Sequence, residues 1–340
     1  MTDLSKRPEA PRAARDWLPV LSQYRQPQLP RTIWALVNTL GPLVVLWSLA
    51  WISLGGPWII TLALDVLLGF FLMRTFCLQH DCGHGSLFAN RRTCNIVGGL
   101  LGVVTITPYA VWREAHDRHH RSSGNLDTRD LGEIVTLTID QYRARGFWGR
   151  LSYRMYRSPV FLFLLAPFLL FFLQYRIPLG MMGAGVRFWI SAMTTNLGII
   201  AVLGTIYYFG GWAPILLIFF PSTLFGAFAG VWTFYMHHQF DGAHFDSADD
   251  WQVHEAALHG SSQIIMPAWL QWFTANITLH HVHHLYARIP FYRLPEVLRD
   301  HPELAAINRV SMRESLAGLW MNLWDPKTRR LVSFAEAKAL

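Results

Sequence analysis

Charge is scarce in this chain, and so is cysteine. Only 15% of its 340 residues are charged, against about 25% in an ordinary soluble domain, while 52% are apolar or aromatic. The apolar residues gather in blocks instead of recurring at regular spacing, the mark of segments that meet lipid on most sides. The three cysteines, Cys77, Cys82 and Cys94, form no C-x-x-C pair and no even framework. That excludes a disulfide scaffold and predicts reduced thiols. The first thirty residues lack a short apolar core, so no secretory leader is expected to be removed. There is no internal repeat and no low-complexity tract. The run Gly180-Met181-Met182-Gly183-Ala184-Gly185 is not G-x-G-x-x-G and follows no strand, which excludes a dinucleotide fingerprint. The formal net charge of +7 does not point to nucleic acid, because the arginines sit beside the apolar blocks, as they do near anionic headgroups.

Residues 33–54 and 58–79 are apolar blocks parted by Gly55-Gly56-Pro57. Each is long enough to cross a core of about 30 Å at about 1.5 Å per residue. Residues 189–209 and 212–236 repeat the pattern around Gly210-Gly211. The reading is an all-α polytopic membrane protein with two transmembrane hairpins, hence four spanning helices. The expected division is an N-terminal segment 1–31, a first hairpin 32–79 and a cytoplasmic or interfacial region 80–188. A second hairpin 189–236 and a cytoplasmic helical cap 237–340 follow. Arg12, Arg15, Arg25 and Arg31 precede the first hairpin, and Arg91, Arg92, Arg113, Arg118 and Arg121 follow it. The positive-inside rule therefore puts both ends and the middle in the cytoplasm, with Gly56 and Gly211 outside. In a bacterium the membrane would be the inner one. The blocks 95–111 and 159–175 are broken by Gly, Thr and Pro. If either crossed, it would separate histidines that a shared site must bring together, so both are read as interfacial or re-entrant.

The chemistry lies in the 15 histidines. Eight fall in three tight groups: His80 and His84; His116, His119 and His120; and His280, His283 and His284. Positions i, i+3 and i+4 share a helix face, so each H-x-x-H-H can aim three imidazoles into one site, and His281 lies off that face. Eight imidazoles exceed the needs of one ion and suggest two metals. A structural zinc takes four ligands, usually with cysteine, whereas oxidation of an unactivated C–H bond requires a redox metal, and iron suits imidazole. No carboxylate-bridged Glu-x-x-His pattern lies on the predicted membrane helices. Asp81, Asp117 and Asp127 are candidates to accept N–H bonds from the rings. Asp65 is costly inside the second helix, and Arg74 is expected to snorkel as an anchor.

The order H-x(3)-H, H-x-x-H-H, H-x-x-H-H resembles the integral-membrane fatty-acid desaturases. Three stretches carry the likeness. They are His80-Asp81-Cys82-Gly83-His84-Gly85-Ser86, the run from Trp112 through His120 to Asp127, and the run from Gly260 through Leu270-Gln271-Trp272-Phe273-Thr274 and Asn276 to His284. Pro290-Phe291-Tyr292-Arg293-Leu294 follows, and these flanks look most like the bacterial acyl-lipid desaturases. The resemblance implies two iron ions, dioxygen as co-substrate, a lipid-bound acyl chain and an external electron donor such as ferredoxin. It also implies a ninth ligand in Tyr235-Met236-His237-His238-Gln239 and places it at His238, with His237 turned elsewhere. The expected reaction is insertion of a cis double bond. Its rivals are a lipid or alkane hydroxylase or a carotenoid ketolase on the same scaffold, and a non-catalytic metal-binding membrane protein.

Overall fold

A computed structural model describes residues 12–128 and 132–340. Helix α1 (Leu29–Ser53) starts with a proline in its first turn, where the missing N–H costs nothing. It stops before the Gly-Gly-Pro turn, and Pro57 caps α2 (Trp58–His84). That helix does not end with its apolar block at residue 79. It runs one further turn and terminates at Gly85, whose φ of 70° suits only glycine without cost. The amide of Ser86 donates to the Asp81 carbonyl at 3.0 Å, closing the end. His80 and His84 therefore ride on the last turn of a spanning helix.

Helices α3 (Arg91–Val104) and α4 (Tyr109–Ser122) meet at a bend of 106°. The bend passes through Ile106, which holds a left-handed φ of 49°, unfavourable for a β-branched residue. The Arg176 guanidinium bonds the Ile106 carbonyl and holds the Asn196 side chain at 2.8 Å. Helix α5 (Phe147–Tyr156) and the segment α6 (Phe161–Arg176) form a second pair, bent by 56°. Two π turns, Phe161–Leu165 and Leu169–Leu173, flank Pro167 in α6, as expected where a ring removes a helical hydrogen bond. Then α7 (Val186–Gly210) and α8 (Trp212–His238) make the second long hairpin, joined at Gly211. Among the described residues, four helices are thus long and apolar enough to span a membrane. Like α2, α8 outlasts its apolar block and ends on His237 and His238. Polar ends are tolerated because they finish inside protein.

Contacts tie the segments flanking both bent pairs to the histidine end of the bundle. His84, before α3, lies 3.1 Å from His116 on α4. Arg157, at the end of α5, bonds Gln239 at 2.7 Å, just past α8, and Phe188, at the start of α7, packs with Val111 of α4. Helix α2 packs along both α1 and α8. At its crossing with α8, a Cβ on Gly69 would fall 2.7 Å from the Phe225 Cβ, so only glycine allows the approach. The chain beyond α8 forms a cap of short helices. Five strands of two or three residues stitch it. Gln263–Ile265 pairs in parallel with Arg309–Ser311, and Leu323–Asp325 pairs with both Leu137–Thr138 and Arg330–Val332. Arg157 is a buried rivet of this cap, donating to Gln239, Tyr235 and the Met321 carbonyl. The expectation that Arg74 snorkels is corrected. It is 3% exposed, lies 3.8 Å over the Trp272 ring and donates to Thr39. Cation–π contact and buried acceptors hold it inward.

Candidate metal centre

All nine histidines singled out from the sequence converge where α2, α4 and α8 meet α9 (His280–Leu285). They form two groups. One contains His80, His84, His116, His120 and His283; the other contains His119, His238, His280 and His284. Within each group the ligand nitrogens lie within 4.8 Å of one another. The two H-x-x-H-H motifs are therefore not three-toothed clamps on one site. On α4, His116 and His120 serve one group and His119 the other. On α9, His280 and His284 serve the second group and His283 the first. Each motif bridges the two groups, so the picture of three rings converging on one metal is corrected. The physical reason is angular: at about 100° per residue, i and i+4 are closely aligned while i+3 leans to the other side of the shared face.

The nitrogens face one another at distances that suit a cation. Nε2 of His84 is 3.3 Å from that of His80 and 3.1 Å from that of His116. His120 is 3.1 Å from His116 and 3.2 Å from His283. In the second group, His238 Nε2 lies 3.1 Å from both His119 and His280. Nδ1 of His238 lies 3.1 Å from the Gly260 carbonyl and donates to it, which leaves a lone pair on Nε2. Lone pairs on imidazoles brought this close repel unless a metal lies between them. Nitrogens about 3 Å apart are also what bonds of about 2.1 Å at right angles produce. Burial drives the rings of His116, His119, His120, His280, His283 and His284 well below the ordinary imidazole range, and neighbouring rings push the same way. They are neutral at physiological pH, the form that binds metal. The donor set fits a metal pair.

Supporting contacts are mixed. Asp81 lies beside His80, with Oδ1 3.4 Å from Nδ1, while its other oxygen accepts the Phe291 amide at 2.8 Å. Asp117 instead pairs with Arg113 at 3.5 Å, and Asp127 accepts the Ala248 amide, so neither supports a ring of the site. Glu133, not anticipated from the sequence, approaches His119 Nδ1 at 3.9 Å; it follows no motif spacing that would have singled it out. His281 turns away, its Nε2 3.0 Å from the Leu304 carbonyl. His237 stacks on His280 with ring centres 3.8 Å apart and belongs to neither group. Asn276, four residues before His280, belongs to neither histidine group; it holds a positive φ and donates to the Phe291 carbonyl.

Beneath the histidines lies an apolar cavity of about 190 Å³. It runs between α2, α6 and α8, from His80, His116 and His280 at one end to Leu72, Thr223 and Gly226 at the other. Trp112 stacks on His116 at 4.9 Å and forms part of the wall.

Four long apolar helices with nine clustered imidazoles able to hold metal at one end of the bundle define a membrane protein whose histidine cluster opens on an apolar slot. The fatty acid desaturase family profile matches residues 56–315. A fatty acid desaturase of Bacillus subtilis is 37% identical over 94% of this chain and 90% of its own length. An sn-1 oleoyl-lipid 12-desaturase of Synechocystis is 28% identical over 77% of this chain and 73% of its own. A Nostoc sn-1 acyl-lipid omega-3 desaturase (ferredoxin) is 25% identical over 74% of this chain and 68% of its own. The chain belongs to the fatty acid desaturase family and is a membrane fatty acyl desaturase.

Proposed function

We propose that the nine histidines hold two iron ions and that the enzyme places a cis double bond in a lipid-bound acyl chain. The observation that carries this reading is the pairing of two imidazole groups with an apolar cavity that begins at their rings. Bound iron would supply the dioxygen redox chemistry that imidazoles and thiols lack. The reaction balances when two hydrogens leave adjacent methylenes, two electrons and two protons arrive, and dioxygen becomes two waters. The protein's own part is positional. Gly260 orients His238, Asp81 sits beside His80, and Trp112 stacks on His116, so the rings are held before substrate arrives. The cavity fixes the acyl chain beside them and excludes water.

The sequence carries no flavin, haem or iron–sulfur motif, and an external donor supplies the electrons. A ferredoxin is the favoured class, in keeping with the Nostoc relative's name. The arginines beside α1, α3 and α4 favour a cytoplasmic site, in the inner membrane of a bacterial cell. The test is expression in a host of known lipids, mapping of new double bonds, and metal analysis of the purified protein. Cis-unsaturated acyl lipids and about two irons per chain, as two ligand groups require, are expected. Stoichiometric zinc in active protein, or no new double bond from iron-loaded protein, would refute the proposal.

A further inference from the structure

Helix α8 turns a stripe of residues to the cavity: Thr223, Gly226, Ala227, Gly230, Val231 and Phe234. The two glycines do different things. Gly226 lies at the crossing with α2. A Cβ there would stand 3.1 Å from both the Gly69 carbonyl and the Leu72 Cβ. The helices touch at this level and narrow the cavity, whose lining continues to Thr223. One turn nearer the histidines, a Cβ on Gly230 would meet nothing within 4 Å. The space beside Gly230 is missing side-chain volume within the cavity wall. Gly230 lies eight positions before His238, about 12 Å along the helix at about 1.5 Å per residue.

A lipid cannot push its headgroup into an apolar slot, because an unpaired polar group there is expensive. The methyl end must go in first. We infer that Gly230 is a specificity-determining residue: the gap it leaves admits the methyl-terminal carbons beyond the reacting position, on the histidine side of the narrowing at the Gly69–Gly226 crossing. This rests on the reading of the cavity as the acyl site. A Cβ at residue 230 would enter this space without touching other protein atoms, and longer side chains would shorten the cavity further.

The test is a graded series, Gly230→Ala, Gly230→Val and Gly230→Leu, expressed in a host with saturated acyl chains of several lengths. Gly204→Leu is the control. Gly204 also has nothing within 4 Å of its Cβ, but it is exposed on α7 away from the cavity. The readout is the number of carbons between the new double bond and the methyl end, together with protein level and bound metal. That number should fall stepwise from Ala to Leu, by displacement of the double bond or by selection of shorter chains. Gly204→Leu should match the parent protein. A Leu variant that is folded and metal-loaded yet gives the parent's distribution overturns the inference while leaving the acyl-site reading intact. A folded, metal-loaded Leu variant inactive on every chain length also overturns it, since a shortened cavity still admits short chains. A parent protein that makes no unsaturated lipid overturns the acyl-site reading and this inference with it.

Discussion

Adjacent histidines with identical chemistry have different tasks here, and the difference is orientation. His280 and His238 face each other across 3.1 Å, whereas His281 bonds the Leu304 carbonyl and His237 stacks beside the group. His280→Ala and His238→Ala should lose metal and desaturation, while His281→Ala and His237→Ala should keep metal. Iron per chain at matched protein levels checks this. Metal loss from His281→Ala with retention in His280→Ala would overturn the assignment. His281 carries a second, pH-linked consequence. Burial lowers its ring from 6.5 to about 4, against a smaller upward pull from the Leu304 carbonyl. A lowered folded value means that the unfolded chain binds the proton first, so stability is full above about pH 6.5 and falls toward pH 4. Linkage puts the loss on the order of 3 kcal/mol for this one ring. Thermal unfolding of His281→Phe, which cannot bind that proton, should show a shallower acid decline than the parent protein, even if its midpoint at pH 7 is lower.

Helices carry the site only because α2 and α8 come close. Their contact at Gly69 and Gly226 leaves no room for a Cβ. Gly69→Leu should therefore wedge the helices apart and cost roughly 1–3 kcal/mol or more, the usual penalty of overpacking. A lower unfolding midpoint in detergent, accompanied by weaker metal retention, is the expected result. An unchanged midpoint would show that the crossing can relax. The bent pairs are elements of a different kind. Their composition marked them as poor spans, through Gly and Thr in 95–111 and Pro in 159–175. The bend at Ile106 is held by a long-range contact from Arg176 that no local pattern encodes.

At the scale of the whole molecule, one side of the bundle holds everything reactive. The native cysteines are all buried, so single exposed cysteines report sidedness against a low background. Gly56→Cys and Gly211→Cys should label from outside the cell, and Arg121→Cys only after the membrane is opened. External labelling at residue 121 would overturn the cytoplasmic placement. Number and order of spans were legible because the cost of burying unpaired backbone in lipid forces long apolar helices, and length and hydropathy are local properties. The short strands of the cap were not legible, since a two-residue strand has no periodicity to read.

Composition and spacing marked the membrane class, the two hairpins and eight of the histidines, because apolar length and helical face are written locally in a chain, and the family resemblance added His238. The partition of those histidines into five and four was a matter for the tertiary structure. So were the neighbour at Glu133, the inward turn of Arg74 and the empty space beside Gly230. Each of these depends on where a second helix stands, and that is set by packing between segments far apart in sequence.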